Sequence, residues 1–293
     1  MPFRPRRSVL YMPGSNARAI EKARSLPVDG VILDLEDAVA PDAKAQARQQ
    51  VADAVKAGGF GAREVFIRVN GIDTPWHADD LNAAAHASPD AILVPKISKV
   101  EQLERVGQRL LDMKTSLKTR IWAMIETPEA IFNINALAAE AHDSETRLAG
   151  FVMGTNDLAK ETRARLLPGR APMASWLALC VLAAHGHGID ILDGVYNDLS
   201  DPKGFEAECA QARDMGFDGK TLIHPNQIGP CNTAFSPSAD EVAQARKTIA
   251  AFDLPENKDK GVVQIDGRMV ERMHAEMARR TVEIADAIEK APA

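Results

Sequence analysis

With 293 residues, 31.7 kDa, 45% apolar and 26% charged residues, the chain can build a full hydrophobic core under an ordinary solvated surface. Its net charge of -6 argues against nucleic acid or an anionic membrane as partner, so an anionic ligand would have to be met by local cations. No run of about 18 apolar residues is present to span a bilayer, the apolar stretch at 9–12 is short for a signal peptide, and Cys180, Cys209 and Cys231 lack metal-type spacing, which together predict a cytoplasmic protein with reduced thiols.

Residues 8–14 read as a short strand ended by Pro13-Gly14, and Ser15-Asn16 offer an N-cap for a helix to about Arg24. Residues 30–37 begin apolar and end acidic at Glu36-Asp37, after which Pro41-Asp42 open an alanine-rich helix to about Lys56. Residues 64–70 carry Arg68 late in an apolar run, with a helix after Pro75; residues 91–97 carry Lys96 in the same place, with a helix over 98–113. At 121–125, five residues suited to burial run straight into Glu126, and Pro128 then stops the extended run and suits the first turn of a helix. Residues 148–157 repeat the design with Asp157 at the tip. Residues 189–198 and 219–225 read as the seventh and eighth strands.

Eight alternating units predict an α/β protein, a (β/α)8 TIM barrel with right-handed crossovers. A doubly wound open sheet is the alternative, but no Gly-rich dinucleotide fingerprint follows the first strand. Beyond the eighth unit come an amphipathic helix over about 238–252, a charged linker, a hairpin at 262–270 and a helix over 271–289. The expected division is a catalytic barrel over 1–235 and a C-terminal helical extension over 236–293. The barrel closes without that extension, so it is expected at a subunit interface.

Parallel barrels place their chemistry at the C-terminal ends of the strands, which directs attention to the late polar residues. Glu126 and Asp157, on neighbouring strands, would aim two carboxylates at one point, as a hard divalent cation requires. Taken singly, Glu126 could cap a helix and Asp157 could make an Asx turn. Arg68 would be costly to bury without a carboxylate or an anionic ligand; a salt bridge to Glu36 or Asp37 is the plainer reading, and Glu36 and Asp37 are themselves catalytic candidates. Lys96 could act as a Schiff-base nucleophile if a dry pocket lowered its pKa, although ion pairing is the commoner fate of lysine. His224, before Pro225, is more often a hydrogen-bonded barrel residue than a catalyst. Thr155 and Asn156 either bind a ligand beside Glu126 or only make the turn before Asp157.

Together, residues 7–14, 33–39, 67–70, 125–128, 154–158 and 219–228 resemble the citrate lyase β-subunit family, which includes malyl-CoA and citramalyl-CoA lyases within the HpcH/HpaI aldolase superfamily. The resemblance runs in order along nearly the whole chain. It implies Mg²⁺ at Glu126 and Asp157, and Arg68 on the carboxylate or oxo group of the substrate. Free-aldehyde aldolases of the superfamily usually have Glu-His where this chain has Glu36-Asp37, which favours the acyl-thioester branch. Members acting on CoA thioesters often end in Gly-x-Met-Ile/Val-Asp-x-Pro, whose Asp enters a neighbour's active site. Here residues 267–273 place Glu271 at that position, on a longer arm and without the proline.

The resemblance therefore implies a Mg²⁺-dependent carbon-carbon lyase. It would interconvert a 3-hydroxyacyl thioester of the citryl-, malyl- or citramalyl-CoA type with acyl-CoA and a 2-oxo acid. Glu271 would handle the proton at the enolate carbon within a homo-oligomer, a trimer or dimer of trimers. The alternatives are a Schiff-base or metal aldolase on free 2-oxo acids and a non-catalytic paralogue that binds an oxo acid or acyl-CoA.

Overall fold

The computed structural model describes residues 4–290, which fall into two compact units, Arg6–Phe235 and the chain from Ser236 onward together with residues 4–5. In the first, β1 (Ser8–Pro13), β2 (Gly30–Asp34), β3 (Glu64–Arg68), β4 (Ala91–Val94), β5 (Arg120–Ile125), β6 (Leu148–Met153), β7 (Asp190–Asp193) and β8 (Gly219–Leu222) pair in sequence order, all parallel. β8 returns to β1 and closes the barrel. Helices follow the strands, so the expected TIM barrel is the observed one.

The strands are continuously apolar because both of their faces are covered. Val9, Ile32, Phe66, Leu93, Trp122, Val152 and Leu192 fill the barrel interior, where Phe66 and Trp122 meet edge to face at 5.3 Å. Gly150 is required there: a Cβ on it would lie 2.6 Å from the Trp122 ring. Below, at the N-terminal end, the Arg6 guanidinium sits 5.2 Å over the Trp122 ring and pairs with Glu64 and Asp190. These ion pairs occupy the N-terminal end of the barrel, and the candidate functional groups stand at the C-terminal end.

A second polar network lies on the helix-facing side of β7 and β8. Lys220 Nζ donates to Asp193 Oδ2 and Glu208 Oε1, both at 2.7 Å, and Arg170 Nη1 to Asp193 Oδ1 at 2.6 Å. Asp193 and Lys220 have no solvent exposure, so each charge depends on the others; removing one partner would strand a buried ion at a cost of about 3–5 kcal/mol.

Some boundaries differ from the sequence reading. β7 ends at Asp193 and β8 at Leu222, several residues before the expected ends at 198 and 225, because Gly194 and the His224-Pro225 pair turn the chain. β6 ends at Met153, so Asp157 is not a strand tip but lies in the first turn of the helix Thr155–Thr162.

The second unit contains the helix Ala239–Asp253, a hairpin of β9 (Val262–Ile265) and β10 (Arg268–Glu271), and the helix Arg272–Lys290. Ser238 and Glu241 form a reciprocal capping box at the start of the first helix. Asp266 and Gly267, with φ of 52° and 77°, make the two-residue turn that an Asp-Gly pair favours. Phe252, Val263, Ile265 and Ala275 form a small core of its own, with Arg272 5.2 Å over the Phe252 ring.

Candidate active site

Five consecutive strands deliver charged groups to the barrel mouth. Asp34 ends β2 and Arg68 ends β3, and the two are register partners. Arg68 Nε and Nη2 each donate to one Asp34 oxygen at 2.6 Å, a bidentate fork. Arg68 Nη1 is 2.8 Å from Glu36 Oε2 and 3.6 Å from Asp37 Oδ2. The expected ion pair with Glu36 and Asp37 is thus present, but the principal partner is Asp34, which sequence reasoning passed over. Asp34 also accepts the backbone N–H groups of Glu36 and Ala38 at 2.9 and 3.1 Å, folding the β2 loop so that Glu36 turns back over Arg68.

Glu126 follows β5 and is 2% exposed. Its Oε1 accepts the backbone N–H of Lys96 at 2.8 Å. Helix capping falls instead to Thr127, whose hydroxyl accepts the Ala130 N–H at 3.1 Å. Glu126 rests on Gly154, the residue that starts the β6 loop; a Cβ on Gly154 would collide with Glu126 Cβ and Oε2. Three residues later comes Asp157, half-buried in the first turn of the helix that follows. The two carboxylates thus follow the neighbouring strands β5 and β6 at the same end of the barrel.

Two further groups were not anticipated. Tyr11 of β1 faces inward, its ring centroid 4.8 Å from the Arg68 guanidinium carbon, and its hydroxyl is 3.9 Å from Met124 Sδ. Arg68 Nη1 lies 3.8 Å from the same sulfur. Tyr11 was legible in principle, since the alternation along β1 places it on the same face as Val9.

The remaining candidates have other tasks. Asn156 and Asn197 exchange amide hydrogen bonds of 3.2 and 2.7 Å, which tie the β6 and β7 loops together. Thr155 is buried beside Gly194, where a Cβ would lie 2.6 Å from its hydroxyl. His224 Nδ1 accepts the Asn226 N–H at 3.1 Å and caps a 3₁₀ turn. Lys96 is about half exposed, and the carboxylates of Glu36, Asp157 and Glu126 outweigh burial and raise its pKa. A Schiff-base nucleophile needs the opposite shift, so that alternative is not supported. Glu271 is exposed at the end of β10 in the second unit, its backbone N–H donating to His274 Nδ1 at 3.1 Å.

Five carboxylates, Asp34, Glu36, Asp37, Glu126 and Asp157, share the mouth with two cations, Arg68 and Lys96. Burial, helped by Asp37, Glu126 and Asp34 and opposed by Arg68, pushes Glu36 up to about 8. Burial and the neighbouring Asp157 push Glu126 up to about 7, against Arg68 and the Lys96 amide. A mouth so acidic repels an anionic ligand until a cation enters it. The donor set suits Mg²⁺: hard carboxylate oxygens, and two of them rather than a closed cage. Among the described residues no group of three or more His, Cys, Asp or Glu side chains is set for a metal, so the other oxygens would come from water and ligand.

The sequence profile of the HpcH/HpaI aldolase/citrate lyase family matches residues 7–225. A (3S)-malyl-CoA thioesterase of Cereibacter sphaeroides (strain KD131 / KCTC 12085) is 49% identical over 284 residues, covering 97% of this chain and 96% of the relative. The citrate lyase subunit beta of Escherichia coli (strain K12) is 31% identical over 288 residues, covering 97% and 94%. Among solved structures, the protein CitE of Mycobacterium tuberculosis in complex with magnesium, acetoacetate and coenzyme A is similar with a TM-score of 0.75 at 27% identity, covering 95% of this chain and 97% of that one.

Proposed function

The chain belongs to the HpcH/HpaI aldolase/citrate lyase family, and we propose that it acts with Mg²⁺ on a 3-hydroxyacyl-CoA whose hydroxyl-bearing carbon carries a carboxylate, malyl-CoA being the type. The observation that carries this reading is the buried Glu126 resting on Gly154, with the half-buried Asp157 three residues further on and Arg68 at the same barrel mouth. It is supported by a structurally similar protein that was crystallised with magnesium and coenzyme A.

Glu126 and Asp157 would hold the ion, which when bound supplies positive charge for a carboxylate and the neighbouring hydroxyl or oxo oxygen. Arg68 enters the same space with one face already fixed by Asp34. Its Nη1 faces only a thioether besides Glu36 and Asp37, so a substrate oxygen can displace that weak contact and gain a charge-assisted hydrogen bond. Glu36, whose pKa burial pushes up to about 8, can lend or take a proton at that oxygen.

Similarity to malyl-CoA thioesterases along nearly the whole chain favours hydrolysis: water attacks the thioester carbonyl, the C–S bond breaks, and CoA leaves as the thiol with a proton from water. Carbon-carbon cleavage to acyl-CoA and a 2-oxo acid is the second reading, favoured by the adjacency of Arg68 and Glu36, a cation and a proton carrier of the kind needed where the hydroxyl loses its proton in that route. Product analysis of malyl-CoA incubated with protein and Mg²⁺ separates them. Malate with free CoA supports the first, glyoxylate with acetyl-CoA supports the second, and unchanged malyl-CoA refutes both.

A further inference from the structure

Of the charged residues at the barrel mouth, Lys96 is the one with a left-handed backbone. It follows β4 with φ of 57°, in the left-handed region where a side chain other than Gly or Asn is strained. Glycine would fit there at lower cost, yet the position carries a long cation. Two features accompany the strain. The turned backbone aims the Lys96 N–H at Glu126 Oε1, at 2.8 Å. It also leaves the ammonium about half exposed at the rim, 4.0 Å from Glu36 Oε1.

The two cations of the mouth are not equivalent. Arg68 is 8% exposed in its side chain and its fork is closed on Asp34. The Lys96 ammonium touches one carboxylate at the outer limit of ion-pair distance, on a flexible stem, and is free to change partner without breaking a buried pair.

We propose that Lys96 is a substrate-contacting residue: its ammonium leaves Glu36 to pair with a carboxylate of the incoming acid, while its backbone N–H holds Glu126 in position. This deepens the functional reading above and rests on it, since it requires an anionic substrate beside a cation held by Glu126 and Asp157. Exchange of partner also leaves Glu36 with Arg68 as its remaining cation.

The test uses Lys96→Gly, which keeps the N–H and tolerates the positive φ while removing the ammonium, with Lys96→Arg as the conservative variant. Calorimetry measures Mg²⁺ alone, then oxaloacetate at saturating Mg²⁺. The expected result is that Lys96→Gly binds Mg²⁺ as tightly as the wild type or more tightly, because a neighbouring positive charge is gone. Its oxaloacetate affinity falls at least fivefold, and Lys96→Arg recovers part of the loss. Unchanged oxaloacetate affinity in Lys96→Gly overturns the contact. Equal weakening of Mg²⁺ and oxaloacetate overturns it as well, since the lysine would then act only through Glu126. A wild-type protein that binds neither ligand overturns the functional reading itself and this inference with it, a result distinct from failure in the variant alone.

Discussion

Asp34 and Arg68 face each other in register across β2 and β3, and both ends of the Arg68 fork close on Asp34 at 2.6 Å. Asp34 is 1% exposed and Arg68 6% exposed, so neither charge has water to fall back on. The pair fixes the plane of the guanidinium before any ligand arrives, leaving Nη1 directed toward Glu36 and Met124. A cation held in this way loses little entropy on meeting a substrate oxygen.

Arg68→Lys keeps the charge and loses the planar fork. Oxaloacetate affinity at saturating Mg²⁺ is expected to fall at least tenfold, or ~1.4 kcal/mol. Arg68→Ala would in addition leave Asp34 buried without its partner and lower the melting temperature. If Arg68→Ala binds the oxo acid as tightly as wild type, Arg68 is structural.

Glu36 predicts a pH dependence of stability. Its ordinary value is 4.5 and the fold raises it to about 8, chiefly by burial, so folding favours the protonated form. The stability this contributes is complete below about 4.5 and is lost as pH rises toward 8. Thermal melts of the metal-free protein should therefore show wild type losing ground to Glu36→Gln across that window, on the order of 2–4 °C for each kcal/mol. The difference between the two proteins contains Glu36 and its coupling to Glu126, whose charge helps to raise it. Parallel curves would show that Glu36 titrates normally.

The barrel was legible because its signals are local: each strand is an apolar run with a turn residue after it, and the spacing repeats. Glu126 was legible for the same reason, as a Glu directly after an apolar strand is conspicuous, whereas Asp157 was read as a strand tip and lies in the first turn of a helix. Asp34 was not legible, because it lies inside the strand and its role appears only when β3 brings Arg68 alongside. The Arg170–Asp193–Lys220–Glu208 network joins positions up to 50 residues apart, and no periodicity marks such partners in advance. The left-handed turn at Lys96 was hidden too, since lysine carries none of the composition cues of Gly or Asn.

The C-terminal hairpin and helix give a prediction about assembly. We expect Glu271 to serve the active site of a neighbouring subunit in a symmetric oligomer. Deleting residues 262–293 should leave a folded barrel that binds Mg²⁺ and has lost turnover. Mixing inactive Glu126→Gln with inactive Glu271→Gln under conditions of subunit exchange should restore activity, because some mixed oligomers contain one intact composite site. Verified exchange without recovery would place Glu271 in its own subunit's site or in none.

The most direct measurement is a calorimetric Mg²⁺ titration of the wild type, Glu126→Gln and Asp157→Asn. Two carboxylates sharing one ion predict a single site per chain, weakened at least tenfold, or ~1.4 kcal/mol, in either variant, with circular dichroism unchanged. Wild-type affinity in both variants would contradict the account, because the mouth of the barrel would then hold its acidic pair for some purpose other than a metal ion.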